Sequence, residues 1–423
     1  MRILLYLTIL GLFSLDWLSF KLGIVPRYVT WFPELAALVI LPYVIFTAVR
    51  KRAFHSHAKY LCCIFAFLLA IFLGFVANGV GSGVMFSGMR IYLRYIPFFL
   101  LPAVWDVTEK ELKRLLLFIF GLMILQLPVV LYQRFVKYSA SISGDPMGGT
   151  LGANTSGTLS VLILLVLAVY ISMYLKNRIS FVIFLLGFAM VLLPVTMNET
   201  KITFVLLPVC FLIPSMIGRV DAGKIGKIIL LFVLLTSSMF AVKTVYDHFQ
   251  TKRWGYGITD FFQNRKHVEK YADARLAPIV NTLKRIGGDP VFFLFGVGAG
   301  NASSSFTGEG MSGKYLQEMT KGWKVASGIV VLAWEIGFVG LFLGGVILLF
   351  LFFDARKLSR EDSLFGALGL GMTSVTLMFA VASLYCNLVQ AKVVNVLFWL
   401  VAGLVVQRLN RGAGLPEGDM LPA

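Results

Sequence analysis

Apolar runs of membrane-spanning length recur along most of this chain, and they restrict it to a bundle of helices. A bilayer's hydrocarbon core is about 30 Å thick, so a helix needs roughly 20 apolar residues to cross it. Lipid offers the backbone no hydrogen-bond partners, so each run must be helical. Spans are expected near 3–20, 28–49, 60–76, 85–105, 114–134, 153–175, 180–196, 200–218, 226–245, 325–352, 364–386 and 391–408. With 58% hydrophobic residues and a mean hydropathy of +0.84, a soluble globular chain is excluded. The expected fold is an all-α integral membrane protein of about 12 transmembrane helices.

One stretch, near 246–324, is polar and long. The expected division is therefore a membrane domain over 1–245, a loop over 246–324, a second membrane part over 325–410 and a short tail over 411–423. Lys and Arg in the short loops set the orientation. One alternate set, with Arg50, Lys51, Lys110, Arg114, Arg356 and Lys357 among its members, holds more than twice as many basic residues as the other. That set belongs in the cytoplasm, so both ends of the chain lie inside and the long loop faces outward. Long loops translocate regardless of charge, so the loop's own basic residues are compatible with this. The opening MRILLYLTILGLFSLDWLSF lacks a small-x-small cleavage site and reads as a retained first helix.

The formal net charge of +17 follows largely from this topology. Nucleic acid is excluded as a partner by the small share of soluble surface. Cys62, Cys63, Cys210 and Cys386 fall in apolar spans and read as buried thiols. His55, His57, His248 and His267 have no metal-ligand spacing, and neither a metal nor another cofactor is expected. Inside the loop, Asp273 is a plausible N-cap for a helix with Pro278 in its first turn and Gly287-Gly288 at its end. Leu276, Ile279, Val280, Leu283 and Ile286 follow the 3.6-residue period. Such a short amphipathic helix lies either in the membrane interface or on a small core of the loop itself.

Ionisable groups within spans are costly to bury and commonly functional. Arg90 and Arg94 share one helix face, Arg134 ends the fifth span, and Lys201 opens the eighth just after Glu199. All four belong to the same outer layer. Guanidinium groups match phosphate oxygens in a planar fork. With Arg253, Arg265 and Arg275 from the loop, these residues are expected to line a basic cavity for a diphosphate; singly, each would instead snorkel to headgroups. Asn154 lies in GTLGANTSGTLS, where small residues also permit close helix packing. Glu335 lies within the tenth span and is either a proton acceptor or the partner of a basic residue. Two motifs mislead: GEGMSGKY puts Tyr315 where a Walker A loop needs Ser or Thr, and GVGAG lacks a surrounding βαβ unit.

Together these features resemble the O-antigen ligase and polymerase superfamily, the Wzy-type polymerases and WaaL-type ligases of bacterial envelopes. The layout of many spans with one large late outer loop is similar. GTLGANTSGTLS resembles the family's glycine-then-asparagine segment, with Asn154 at the asparagine. TMNETKITF resembles its Thr-x-Ser-Arg-Gly segment, with Lys201 in place of arginine. ARLAPIVNTLKRIGGDPVFFLFGVGAGN resembles an arginine, an amphipathic helix and Pro-x-x-Gly-x-Gly, with Arg275, Gly296 and Gly298 at the matching positions. SGIVVLAWEIGFVG resembles the start of the span after the loop, with Glu335 and Gly337 matching. The family histidine position holds Ala326 or Ser327, which argues against a typical ligase.

The resemblance implies polymerisation of undecaprenyl-diphosphate-linked repeat units into O-antigen, capsule or exopolysaccharide at the periplasmic face of the bacterial inner membrane. The transfer would be metal-independent, with arginines stabilising the departing diphosphate. Arg275 and Lys201 are the expected diphosphate ligands, backed by Arg90, Arg94 and Arg134, and Glu335 or Glu199 would serve as base. The implied partners are the lipid-linked glycan, the bilayer and a chain-length regulator. Two other readings stand beside it: a ligase passing glycan to lipid A core or protein, and a secondary transporter or flippase. A transporter would place its charged site near the midplane, which Glu335 would satisfy if it lies there.

Overall fold

The computed structural model describes residues 1–51, 57–138, 146–152, 155–217, 222–254, 277–304, 311–320 and 326–413. Among them the regular structure is helical throughout, with no strand. Nine helices among the described residues are long and apolar enough to cross a membrane. They are α1 (Arg2–Phe20), α2 (Phe32–Lys51), α3 (Ala58–Ala77), the run of α6 (Glu109–Ile124) with α7 (Gln126–Tyr132), α8 (Ser156–Leu175), α11 (Ala222–Trp254), α15 (Gly328–Leu358), α16 (Leu364–Tyr385) and α17 (Lys392–Ala413). A tenth is possible if α4 (Ser82–Leu93) and α5 (Ile96–Val104), bent by 42°, count as one span. The expected spans near 180–196 and 200–218 form shorter apolar helices, α9 (Phe181–Met197) and α10 (Thr203–Met216). The expectation of about 12 spans thus meets nine full-length helices, a broken one and two short ones.

Helices that are apolar on every side belong in the middle of a bundle. That is where α8 lies, with 89% of its span buried, followed by α16 at 78% and α17 at 72%. At the periphery α3, α11 and α15 bury between 22% and 28%. Hence Cys210 is buried, but Cys62 on α3 faces outward, a correction to the expectation that all four thiols are enclosed. Hydropathy marks where a chain leaves apolar surroundings, not where its helix stops. Accordingly α11 continues past 245 to Trp254, supported by a Lys243–Asp247 pair at 2.8 Å one turn apart.

The start of α1 and the end of α17 lie at the same end of the bundle. Arg2 pairs with Glu111 at 2.5 Å and lies over the Trp105 ring, while Gln407 donates to the Trp105 carbonyl. The far end of α1 meets the start of α17 and the loop segment around Ser304. The loop therefore occupies the end opposite both.

Within the loop a helix runs over 277–286, followed by α13 (Pro290–Phe295) and α14 (Leu316–Thr320). The 277–286 helix ends at Gly287 as its sequence predicts; Asp273 and Leu276 lie outside the described residues. Its inward face is Pro278, Thr282 and Ile286, whereas Val280 and Leu283 are half exposed. Thr282 accepts a 3.0 Å hydrogen bond from the Trp334 indole, and Ile279 joins a small core with Val297, Val330, Val331 and Trp334. So the helix packs on the loop's own core.

Glycines seat this loop against the spans. Gly337 interrupts α15 at φ 60°, ψ −163°, a conformation essentially limited to glycine. A Cβ there would lie 2.5 Å from the Gly296 nitrogen, and one on Gly296 would lie 2.5 Å from the Trp334 oxygen. The Val297 N–H donates to that same oxygen at 2.6 Å. Gly88 and Gly300 approach each other in the same reciprocal way, and a Cβ on Gly88 would overlap the Ala299 carbonyl. Asn78 at the end of α3 donates to the Gly296 carbonyl at 2.9 Å.

Candidate functional site

Pro97 lacks an N–H, so it cannot bond back to the carbonyl four residues earlier, and α4 ends at Leu93. A broken helix at membrane depth is tolerated where it borders a cavity. Here the break carries Arg90 on the last turn of α4 and Arg94 at its C-cap, where the helix dipole favours cations. Both line a cavity of about 300 Å³ at the loop end. Arg90 lies over the Trp31 ring at 4.8 Å and Arg94 over Tyr95 at 4.7 Å. Such stacking holds the guanidinium planes while leaving their edges available for hydrogen bonds.

A third cation, Lys392, opens α17 and lines the same cavity. Glu34 on α2 joins two of the three: its Oε1 lies 3.0 Å from Lys392 and 3.4 Å from Arg94. Asp16 on α1 is the carboxylate in the lining itself, with Glu34 behind it. Among the described residues, three cations thus meet two carboxylates. Arg90 Nε, Arg94 Nε and Asn387 Oδ1 are buried without a hydrogen-bond partner among the described residues. Leaving such groups unmet costs free energy, which a polyanionic ligand would recover at the two Nε donors and a hydroxyl donor at Asn387. Asn387, Gln390, Thr155, Thr158 and Ser304 complete the polar lining.

The segment containing Asn154 builds part of this wall, although Asn154 itself lies outside the described residues. Gln133 bonds both backbone groups of Gly149, at 2.9 and 2.8 Å, and Gln126 accepts from the Thr150 N–H at 3.0 Å. The resulting turn delivers Leu151 and Thr155 to the cavity at the start of α8. Below the polar lining, an apolar cavity of about 320 Å³ runs between α3, α5, α15 and α17, and Ile91 borders both spaces.

Of the other expected cations, Arg134 and Lys201 do not join this group. Arg134 and Glu199 form a closed pair at 2.5 Å, with side chains only 2% and 1% exposed. The contact is one of charge rather than an aligned hydrogen bond. Glu199 reaches it because its backbone turns through φ 52° between α9 and α10. Phe249 covers the Arg134 guanidinium at 3.5 Å. The expected single basic cavity is therefore divided. Both parts touch the first turns of α8: Thr155 and Thr158 line the cavity, while Ser160 bonds Thr200 at 3.2 Å. Lys201 lies in the α9–α10 turn, half-buried, and is not among the lining residues. Arg265 and Arg275 lie outside the described residues, as does the side chain of Arg253 at the end of α11.

Glu335 is fully buried just before the Gly337 break. Its partner is not a basic residue. Tyr92 donates to its Oε2 at 2.7 Å, and the Gly300 and Ala302 amides and the Ser303 hydroxyl lie against the same carboxylate. It anchors the loop turn to α4 and α15 and lines neither cavity. Asp16, Glu34 and Lys392 escaped the sequence reading as site residues, though the first two are carboxylates inside apolar spans and carry the same signal that marked Arg90. No protein-family model matches the chain, and no curated protein matches it in sequence.

Proposed function

We propose that this protein is a lipid-linked oligosaccharide glycosyltransferase, and that it polymerises undecaprenyl-diphosphate-linked repeat units into a surface polysaccharide. The observation carrying this reading is the basic cavity of Arg90, Arg94 and Lys392 beside an apolar cavity. A polyprenyl diphosphate has a doubly charged head and a hydrocarbon tail, and the two adjoining spaces suit those two parts. In this reading the cations hold the diphosphate and stabilise the charge it gains on leaving. The glycan extends toward the loop, and Arg275 is a further diphosphate ligand on the strength of the resemblance alone. The cavity end faces the periplasm of the inner membrane, and both chain ends face the cytoplasm.

The contact between the Gly296–Gly298 turn and the Glu335–Gly337 break supports the resemblance, since two segments that carry it interlock. The ligase reading uses the same cavity; Ala326 and Ser327 at the family's histidine position favour polymerisation. The transporter reading loses its main residue, because Glu335 is enclosed by Tyr92 and the loop. Deleting the gene and analysing lipid-linked and surface glycans tests the proposal. Accumulated single repeat units with no long polymer support it. Full-length polymer stranded on the lipid carrier indicates a ligase, and unchanged glycans overturn both enzymatic readings.

A further inference from the structure

An acceptor sugar hydroxyl must lose a proton as it attacks, and the two carboxylates first considered for that role are both enclosed: Glu199 by Arg134 and Glu335 by Tyr92. Two carboxylates remain at the cavity, and they differ. Glu34 is 7% exposed and is held by Arg94 and Lys392. Asp16 lines the open space, is only partly buried, and makes no hydrogen bond or salt bridge among the described residues. It shares one face of α1 with Leu12, which lines the same wall one turn earlier. The charges acting on it come from three elements: Glu34 on α2, Arg94 on α4 and Lys392 on α17. Arg90 is the remaining charged group of the lining.

We infer that Asp16 is the proton acceptor of the glycosyl transfer. The inference rests on the proposed polymerase reading and adds a catalytic residue to it. The acceptor oxygen forms a bond to the anomeric carbon as the bond from that carbon to the diphosphate oxygen breaks. The breaking bond's electron pair stays on the diphosphate, and the hydroxyl proton passes to Asp16, which later releases it to water. The leaving diphosphate gains one negative charge while Asp16 loses one. The net charge inside the cavity is therefore constant through the step, which suits a site where three cations already face two carboxylates.

The test uses the full-length protein in nanodiscs, with an undecaprenyl-diphosphate-linked oligosaccharide as donor and acceptor, and undecaprenyl diphosphate as the binding probe. Asp16→Asn is expected to lower turnover by about 10²–10⁴-fold. It should bind undecaprenyl diphosphate at least as tightly as the parent, because a negative charge beside the anion is gone. The fall in rate at low pH should flatten, and formate should restore part of the turnover in Asp16→Ala. Turnover of Asp16→Asn within threefold of the parent overturns the inference. If Asp16→Asn does not fold, Asp16→Ser is judged by the same threshold. Arg94→Gln separates the two levels: if it binds undecaprenyl diphosphate like the parent, the cavity reading falls and the inference with it. If its binding is lost while Asp16→Asn keeps its turnover, only the inference falls.

Discussion

Arg94 and Arg134 are both buried guanidinium groups, each stacked on an aromatic ring and each beside a glutamate. Their surroundings nevertheless differ in kind. Arg134 meets the Glu199 carboxylate at 2.5 Å and has a phenyl ring over its face. Arg94 shares Glu34 with Lys392, at 3.4 Å, beside an open cavity that also holds Arg90. A cation buried in a span marks a binding site only where local carboxylates leave charge over. Where they do not, it is part of the scaffold.

The comparison is most sharply tested by breaking the closed pair. Arg134→Met takes the guanidinium away from the buried Glu199 carboxylate and should cost about 3–5 kcal/mol of stability. Arg134→Met combined with Glu199→Leu should recover most of that and keep transferase activity. Thermal unfolding in detergent gives the first quantity and polymer synthesis the second; an inactive but stable double variant would place the pair in the site after all. On the open side, Arg94→Ala should leave the fold intact and lower turnover by about 10²–10³-fold, comparable to removing one preorganised donor to a developing anion.

A control lies away from both clusters. Burial at the start of α3 lowers the His57 pKa from 6.5 to about 4. The folded state thus holds this imidazole neutral, and the unfolded chain takes up its proton first as pH falls. Stability should be undiminished above about pH 6.5, decline as pH drops toward 4, and level off below that. The full effect is on the order of 3 kcal/mol, read from unfolding midpoints against pH. His57→Phe should remove most of that slope without touching either cluster. The smallest effect belongs to Trp31→Leu, which removes the ring beneath Arg90. Undecaprenyl diphosphate affinity should fall by roughly two- to fivefold, as one cation–π contact is worth about 0.5–1 kcal/mol.

Hydrophobic periodicity made the helices legible, because lipid leaves the chain few alternatives. It also located Arg90 and Arg94 correctly on one face of α4. What it could not convey was pairing. Glu199 lies 65 positions from Arg134 in sequence, and only the turn between α9 and α10, with its positive φ, brings them together. Lys392 carries no local signal of a site, because its partner, Glu34, belongs to a helix at the other end of the chain. Glu335 was conspicuous as a carboxylate in a span, yet its role depends on Tyr92 and on a loop folded back beneath glycine contacts, which no local pattern displays.

Those glycine contacts also fix a timetable for biosynthesis. Gly88 waits for Gly300, and Gly296 waits for Gly337, so the loop has no seat until most of the chain has left the ribosome. The cavity waits longer still, since its wall takes Asp16 from the first helix and Lys392 from the last. A nascent chain therefore inserts a bundle of helices well before it owns a charged pocket. A truncation after α16 would leave the helices that carry Asp16, Arg90 and Arg94 but remove Lys392 and its side of the cavity wall.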